Sequence, residues 1–202
     1  MRFSRVLLVH PRHKVEWPGL TPPLGLGYLA ESLDAHGIDH RVLDMNLGYG
    51  LKHLLRAVDD YQPDLLGMSM ITRDYRGFYR TLEAVRRHSG RLKIVAGGPH
   101  VTIFGEQVLR ECAAIDYGVT REGERALVEL CEGKGVEEDI KGLMFRRNGR
   151  IGYAGDRPFV TDLTGVPWPR YRRFEIDRVV SRDVLPQPGR QRLQSVARLQ
   201  AA

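Results

Sequence analysis

Glycine, hydroxyl and imidazole groups recur where apolar runs of the sequence end, and these residue types can hold a polar or planar ligand. Ser69 and Thr72 offer two hydroxyls that can hydrogen-bond a ligand or cap the next helix. Gly97 and Gly98 let a bulky flat ligand approach the backbone, although a glycine pair can also form a simple turn. His100 follows them and can reach the face of such a ligand.

Two carboxylates, Glu122 and Glu124, flank Gly123 at the predicted start of a helix. Negative side chains stabilise a helix N-terminus, and they can also accept hydrogen bonds from amide groups of a ligand. The sequence has no serine in a nucleophile elbow, no H-E-x-x-H and no Walker loop. We therefore predict binding residues, and no catalytic residue or metal ligand.

A dinucleotide site is an alternative interpretation. Gly25 to Ala30 fits the pattern G-x-G-x-x-A, and Asp44 ends the second predicted strand. In that fingerprint the first glycine directly follows the first strand, whereas 14 residues separate His10 from Gly25 here. Nucleotide binding stays open as a second hypothesis.

Strands alternating with helices must position these residues. Short apolar runs separate segments of helical spacing, which predicts a doubly wound α/β domain with a five-stranded parallel sheet, flavodoxin-like or Rossmann-like, over residues 1–135. In such a sheet the carboxyl ends of the strands open onto one ligand-binding crevice. The predicted strands are Arg5 to His10, Asp39 to Met45, Asp64 to Met70, Leu92 to Ala96 and, approximately, Ile115 to Val119.

The alternation of strands and helices does not continue after residue 135. Residues 136–170 predict a β-hairpin around Asn148-Gly149, appended to the α/β layer, and then a proline-rich connector at Val166 to Arg170. Residues 171–202 are rich in arginine and glutamine, and we expect an extended, poorly ordered basic tail. A third hypothesis is an interaction domain whose tail binds a partner.

Charge and hydropathy exclude several classes of protein. Eight of the 31 basic but only three of the 25 acidic residues lie at positions 170–202, so the tail carries most of the net charge of +6. The body is nearly neutral, which argues against nucleic-acid binding. Its apolar runs are too short to span a bilayer and no signal peptide is evident, so we expect no membrane association and a cytoplasmic location. Cys112 and Cys131 lack metal-site spacing and are expected to be packed thiols.

The ordered set of motifs resembles the cobalamin-binding domain of the class B radical S-adenosylmethionine enzymes. The resemblance runs from Arg5 to about Leu185 and implies a cobalamin-binding module. The motifs are Pro22-Pro23-Leu24-Gly25-Leu26-Gly27-Tyr28-Leu29, Pro63-Asp64-Leu65-Leu66-Gly67-Met68-Ser69, Gly97-Gly98-Pro99-His100 and Gly123-Glu124. By motif position, it implies cobalamin contacts at Leu24, Gly25, Ser69, Thr72, Gly97, Gly98, His100 and Glu124.

Two departures bear on activity. The sequence lacks the D-x-H-x-x-G motif of the corrinoid mutases, and His10 and His13 have a different spacing, so the resemblance implies cobalt without a strong protein ligand below. No cysteine follows Cys131, so we expect no iron–sulfur cluster in this chain and an incomplete radical enzyme. The expected protein is a stand-alone module or the N-terminal part of a radical SAM methyltransferase-like enzyme, with a separate radical SAM subunit as an implied partner.

Overall fold

One seven-stranded sheet forms the centre of the structure, a computed structural model that describes residues 2–13, 22–170, 174–175 and 177–178. Its strand order is β2-β1-β3-β4-β5-β6-β7, and β1 to β5 are parallel. The strands are β1 (Arg5–His10), β2 (Asp39–Asp44), β3 (Leu65–Ser69), β4 (Lys93–Gly97), β5 (Tyr117–Val119), β6 (Leu143–Arg147) and β7 (Arg150–Tyr153).

Helices cover both faces of the sheet. They are α1 (Leu24–Ala35), α2 (Leu51–Tyr61), α3 (Tyr75–His88), α4 (Pro99–Phe104), α5 (Glu106–Glu111) and α6 (Glu124–Glu132). Alternate side chains of β1 enter two separate cores: Leu7 and Val9 pack beneath α2 to α5, whereas Val6 and Leu8 pack beneath α1 and α6. The apolar runs of the sequence therefore belong to strands that are buried on both faces.

The α/β class agrees with the prediction, but the sheet has seven strands instead of five. The segment predicted as an appendage joins the sheet, since β6 pairs antiparallel with β5 and places Phe145 opposite Tyr117. This pairing covers the short edge strand β5, whose backbone groups would otherwise lack partners. Asn148 and Gly149 between β6 and β7 both have positive φ, at 50° and 75°, as a tight turn between antiparallel strands requires.

The chain after β4 bends once before it reaches β5. The structure has two short helices there, α4 and α5, because Gly105 between them has a φ of +55°. Both cysteines are buried and unpaired. Within the described residues, every helix is too short or too polar to cross a bilayer.

The chain after β7 returns across the domain. We call residues 156–170, 174–175 and 177–178 the C-terminal strap. The backbone N–H of Val160 donates to Glu122 Oε2 at 2.8 Å, and Arg178 Nη2 donates to the carbonyl of Leu47 at 3.2 Å. The strap thus reaches from the loop after β5 to the loop after β2.

The middle of the strap packs on α1. Arg170 Nε donates to Glu31 Oε2 at 2.7 Å, and Glu31 is 5% exposed. Phe174 is 1% exposed within the core beneath α1 and α6. Phe174 is the packed part of the segment predicted as a tail; most of residues 171–202 lie outside the described residues, so the poorly ordered tail stays a prediction.

The packing of the strap on α1 requires a glycine at position 27. A Cβ built on Gly27 would lie 2.7 Å from Pro169 Cβ and 3.0 Å from Phe174 Cζ. Gly25, in the same helix, has no neighbour within 4 Å of such an atom. The second glycine of G-x-G therefore makes room for the strap, which is a structural reason for a pattern that also fits a nucleotide fingerprint.

We predict opposite effects of Gly27→Ala and Gly25→Ala on the free energy of unfolding. Gly27→Ala forces Pro169 and Phe174 outward and should lower it by about 1–3 kcal/mol, the usual cost of overpacking. Gly25→Ala, the matched control, adds a methyl group in open space and should raise it by up to about 1 kcal/mol. Urea unfolding of both variants measures this, and equal values would contradict the packing role of Gly27.

Candidate functional site

The candidate site is the edge of the sheet where β1 to β5 end. Strand order reverses between β1 and β3, and in open α/β sheets ligands bind at such a switch point, beyond the carboxyl ends of the strands. His10 is paired with Asp44 at the ends of β1 and β2, and Ser69 with Gly97 at the ends of β3 and β4. The predicted binding residues Ser69 and Gly97 therefore lie side by side at the ends of neighbouring strands.

Gly98 joins the loops after β3 and β4. Its φ is +91°, and a Cβ there would lie 2.8 Å from both Met70 O and Ser69 Oγ. The N–H of Met70 donates to Gly97 O at 2.8 Å, so a backbone hydrogen bond also joins these two loops. Gly97 is less crowded, since its nearest potential Cβ contact is Val119 O at 3.7 Å. Gly97 is half-buried, and the space beside its Cα can hold part of another molecule.

The imidazole of His100 is buried beside the start of α3. It is 2% exposed, stacks on Tyr75 at 4.6 Å between ring centroids and has Nε2 3.1 Å from the hydroxyl of Tyr79. Burial lowers its pKa, which favours the neutral ring. In this structure the ring packs against the start of α3, and its expected contact with the face of a ligand stays a prediction.

The other predicted residues are accessible. Leu24 at the start of α1 is 49% exposed and Gly25 faces open space. Thr72 is exposed, and Glu124 at the start of α6 is half-buried. Burial, and then the neighbouring charge of Glu122, raises the pKa of Glu124.

The loop after β5 contains a strained residue that sequence reasoning missed. Arg121 has a φ of 58°, a conformation that costs free energy for a side chain with a Cβ. Its N–H donates to Thr102 Oγ1 at 2.8 Å, and its guanidinium donates to Asp156 at 2.6 Å and lies over the ring of Phe159. The strap therefore holds this loop in place.

A polar network connects the loops after β1, β2 and β3. His10 Nδ1 lies 3.0 Å from Asp44 Oδ1, and the two Nε2 atoms of His10 and His13 are 3.3 Å apart. Asn46 accepts from the N–H of His13 at 3.0 Å and donates to Asp44. His13 Nδ1 lies 3.4 Å from Asp74 Oδ2. Sequence reasoning missed this network, because spacing alone does not show which loop residues meet.

Electrostatics within the network favour charged Asp44 and neutral His13. Burial raises the pKa of Asp44, but hydrogen bonds and the charge of His10, with help from Asn46, bring the net value below the ordinary one. Burial lowers the pKa of His13, and the charge of His10 lowers it further. Asp44, 4% exposed, is thus already engaged by protein groups, which leaves it poorly placed to bind a ribose.

These features define a doubly wound α/β domain whose candidate site lies at a switch point. Residues 15–131 match the model of the B12 binding domain family, which is more than half of the chain. The chain belongs to the B12-binding domain family and is a cobalamin-binding module.

Sequence relatives are methyltransferases. An uncharacterised methyltransferase of Pyrococcus horikoshii is 28% identical over 191 residues, which cover 88% of this chain and 40% of that protein. Cytidylyl-2-hydroxyethylphosphonate methyltransferase of Streptomyces wedmorensis is 24% identical over 190 residues, 80% of this chain and 35% of that protein. The chain thus spans less than half the length of these relatives.

Solved structures share the fold. The cobalamin-dependent S-adenosylmethionine radical enzyme OxsB, solved with aqua-cobalamin and S-adenosylmethionine bound, aligns with a TM-score of 0.72 and 20% identity, covering 82% of this chain and 24% of that one. The radical S-adenosylmethionine methyltransferase TsrM of Kitasatospora setae aligns with a TM-score of 0.66 and 23% identity, covering 75% and 30%. At these identities the likeness establishes the fold.

Glu124 should make stability depend on pH. The pKa of Glu124 is raised in the folded protein, because burial disfavours the charged carboxylate. Its contribution to the free energy of unfolding is therefore complete below the ordinary carboxyl pKa, and it is lost as the pH rises through the pKa of the folded protein. We expect Glu124→Gln to be more stable than the natural chain at pH 8, with the difference disappearing near pH 4. Urea unfolding across this range measures it, and a constant difference would contradict the assignment.

Proposed function

We propose that cobalamin lies over the carboxyl ends of β1, β3 and β4, with its corrin ring against the backbone near Gly97. The observation that carries this placement is the open backbone at the edge. Gly97 and Gly25 both leave room where a side chain would project, while Gly98 keeps the loops after β3 and β4 in contact. Exposed Leu24 adds an apolar side chain at the same edge, which suits a large flat ring.

Polar groups around this surface suit the periphery of the corrin ring. Ser69 and Thr72 offer hydroxyls that donate to or accept from its carboxamide side chains. Glu124 accepts hydrogen bonds from amide N–H groups, and its raised pKa also makes the protonated, donating form more accessible. We assign His100 an indirect role: its N–H donates to Met70 O at 3.1 Å and so supports the loop beside Ser69.

Bound cobalamin would supply a cobalt centre for methyl transfer or radical rearrangement, while the protein orients it and excludes water. We propose that this module serves a methyltransferase of the radical S-adenosylmethionine class, with the catalytic part on a longer chain or on a separate subunit. The sequence relatives, which are methyltransferases, support this assignment. The strap belongs to the module, because Arg121 and Glu122 beside the site depend on it.

Hydroxocobalamin tests the proposal directly. The protein incubated with it should keep the pink colour through gel filtration, and titration monitored by absorbance gives the Kd. Loss of all colour on desalting, under both oxidising and reducing conditions, would refute cobalamin binding. Titration with nicotinamide and adenine nucleotides distinguishes the nucleotide hypothesis, under which Asp44→Ala should weaken binding.

Gly97→Val tests the placement. The substitution adds a side chain where the ring is proposed to lie, and we expect cobalamin to bind at least about tenfold more weakly, or ~1.4 kcal/mol. Gly90→Val is the matched control, because Gly90 precedes β4 at the opposite end and also has open space around it. Equal affinities of the two folded variants would place the ring elsewhere.

A further inference from the structure

The two imidazoles of His10 and His13 meet through their Nε2 atoms, at 3.3 Å. Each ring has a carboxylate behind it, at the opposite nitrogen. Asp44 Oδ1 lies 3.0 Å from His10 Nδ1, and Asp74 Oδ2 lies 3.4 Å from His13 Nδ1. The order along the network is therefore carboxylate, imidazole, imidazole, carboxylate, across the loops that follow β1, β2 and β3.

The carboxylates determine which ring nitrogens carry hydrogen. A carboxylate next to a bare nitrogen is repulsive, so Asp44 favours Nδ1–H on His10 and Asp74 favours Nδ1–H on His13. Asn46 Nδ2 also lies 3.1 Å from His10 Nδ1, but its two amide hydrogens have acceptors in Asp44 Oδ1 at 3.1 Å and the Pro11 carbonyl at 3.2 Å, so His10 Nδ1 can still donate to Asp44. With both Nδ1 atoms protonated, two Nε2 lone pairs face each other, and only a positively charged species between them removes the repulsion.

The separation of these atoms suits a metal ion. Two nitrogen ligands at about 2.0–2.1 Å from a tetrahedral ion lie ~3.3–3.4 Å from each other. A metal-bound histidine usually donates its other N–H to a carboxylate or carbonyl, the role that Asp44 and Asp74 can fill here. Asp74 is 6% exposed, and at 3.4 Å its Oδ2 atom and His13 Nδ1 do not form a hydrogen bond, so both buried atoms lack a hydrogen-bond partner in this arrangement.

We propose that His10 and His13 bind one divalent late transition-metal ion through their Nε2 atoms, in addition to the cobalt that bound cobalamin would carry. Among the described residues, no group of three histidine, cysteine, aspartate or glutamate side chains surrounds a common point, so water completes the coordination. The charges of Asp44 and Asp74 balance the divalent ion. Arg73 Nε, 3.7 Å from Asp74 Oδ2, partly offsets that carboxylate. The histidine side chains are 20% and 15% exposed, which leaves access from solvent.

Calorimetric titration of cobalamin-free protein with Zn²⁺ tests the site independently of the cofactor. We expect one ion per chain, with affinity reduced about 100-fold or more in His13→Asn. Asp44→Asn removes an outer partner and should reduce affinity about 10–100-fold. His88→Asn is the matched control, because His88 Nε2 pairs with Asp59 at 2.7 Å on the surface. It should leave the affinity unchanged.

Two-bond ¹H–¹⁵N spectra of the imidazoles provide a measurement on the natural sequence, which avoids any misfolding of a variant. Zn²⁺ should shift the Nε2 signals of His10 and His13 together and leave those of His88 in place. Absence of Zn²⁺ binding, or shifts that omit either ring of the pair, would overturn the metal assignment. A proton shared by the two Nε2 atoms would then be the species that separates them.

Discussion

Parallel pairing in register is the constraint on which the whole site depends. Because β1 to β5 run in the same direction, every loop that leaves a carboxyl end emerges at one edge. Neighbouring loops are then joined by hydrogen bonds that involve the backbone: Met70 to Gly97, His13 to Asn46, and Arg121 to Thr102. These bonds turn separate loops into a continuous rim, on which ligand groups have defined positions relative to each other.

Much of the architecture follows from local patterns in the sequence. The apolar run of β1 and the helical spacing between such runs are properties of consecutive residues, so the alternation of strands and helices was predictable. The position of β6 was not, because its pairing with β5 joins segments that are distant in the sequence. Which strand pairs at the edge of a sheet depends on which strand is left exposed there, and the periodicity of apolar residues does not show this.

The site was predictable by loop and less so by side chain. Topology indicated that the loops carrying the candidate residues meet at one edge, but not which way a side chain points from the first turn of a short helix, as His100 shows. Gly27 had two interpretations in the sequence, and only the contact with Pro169, far along the chain, distinguishes them. His10 and His13 are likewise three positions apart in a loop, where no rule predicts that two rings meet.

The strap has a mechanical consequence. It is bonded to Glu122 beyond β5, to Glu31 on α1, and to Leu47 beyond β2, and so it spans the parallel part of the sheet. A pull on the chain near Arg178 is therefore borne first by its contact with Leu47 and then by Phe174 in the core beneath α1 and α6. A load applied there would then reach the edge where β1 to β5 end, so the strap couples force on the chain to the shape of the candidate site.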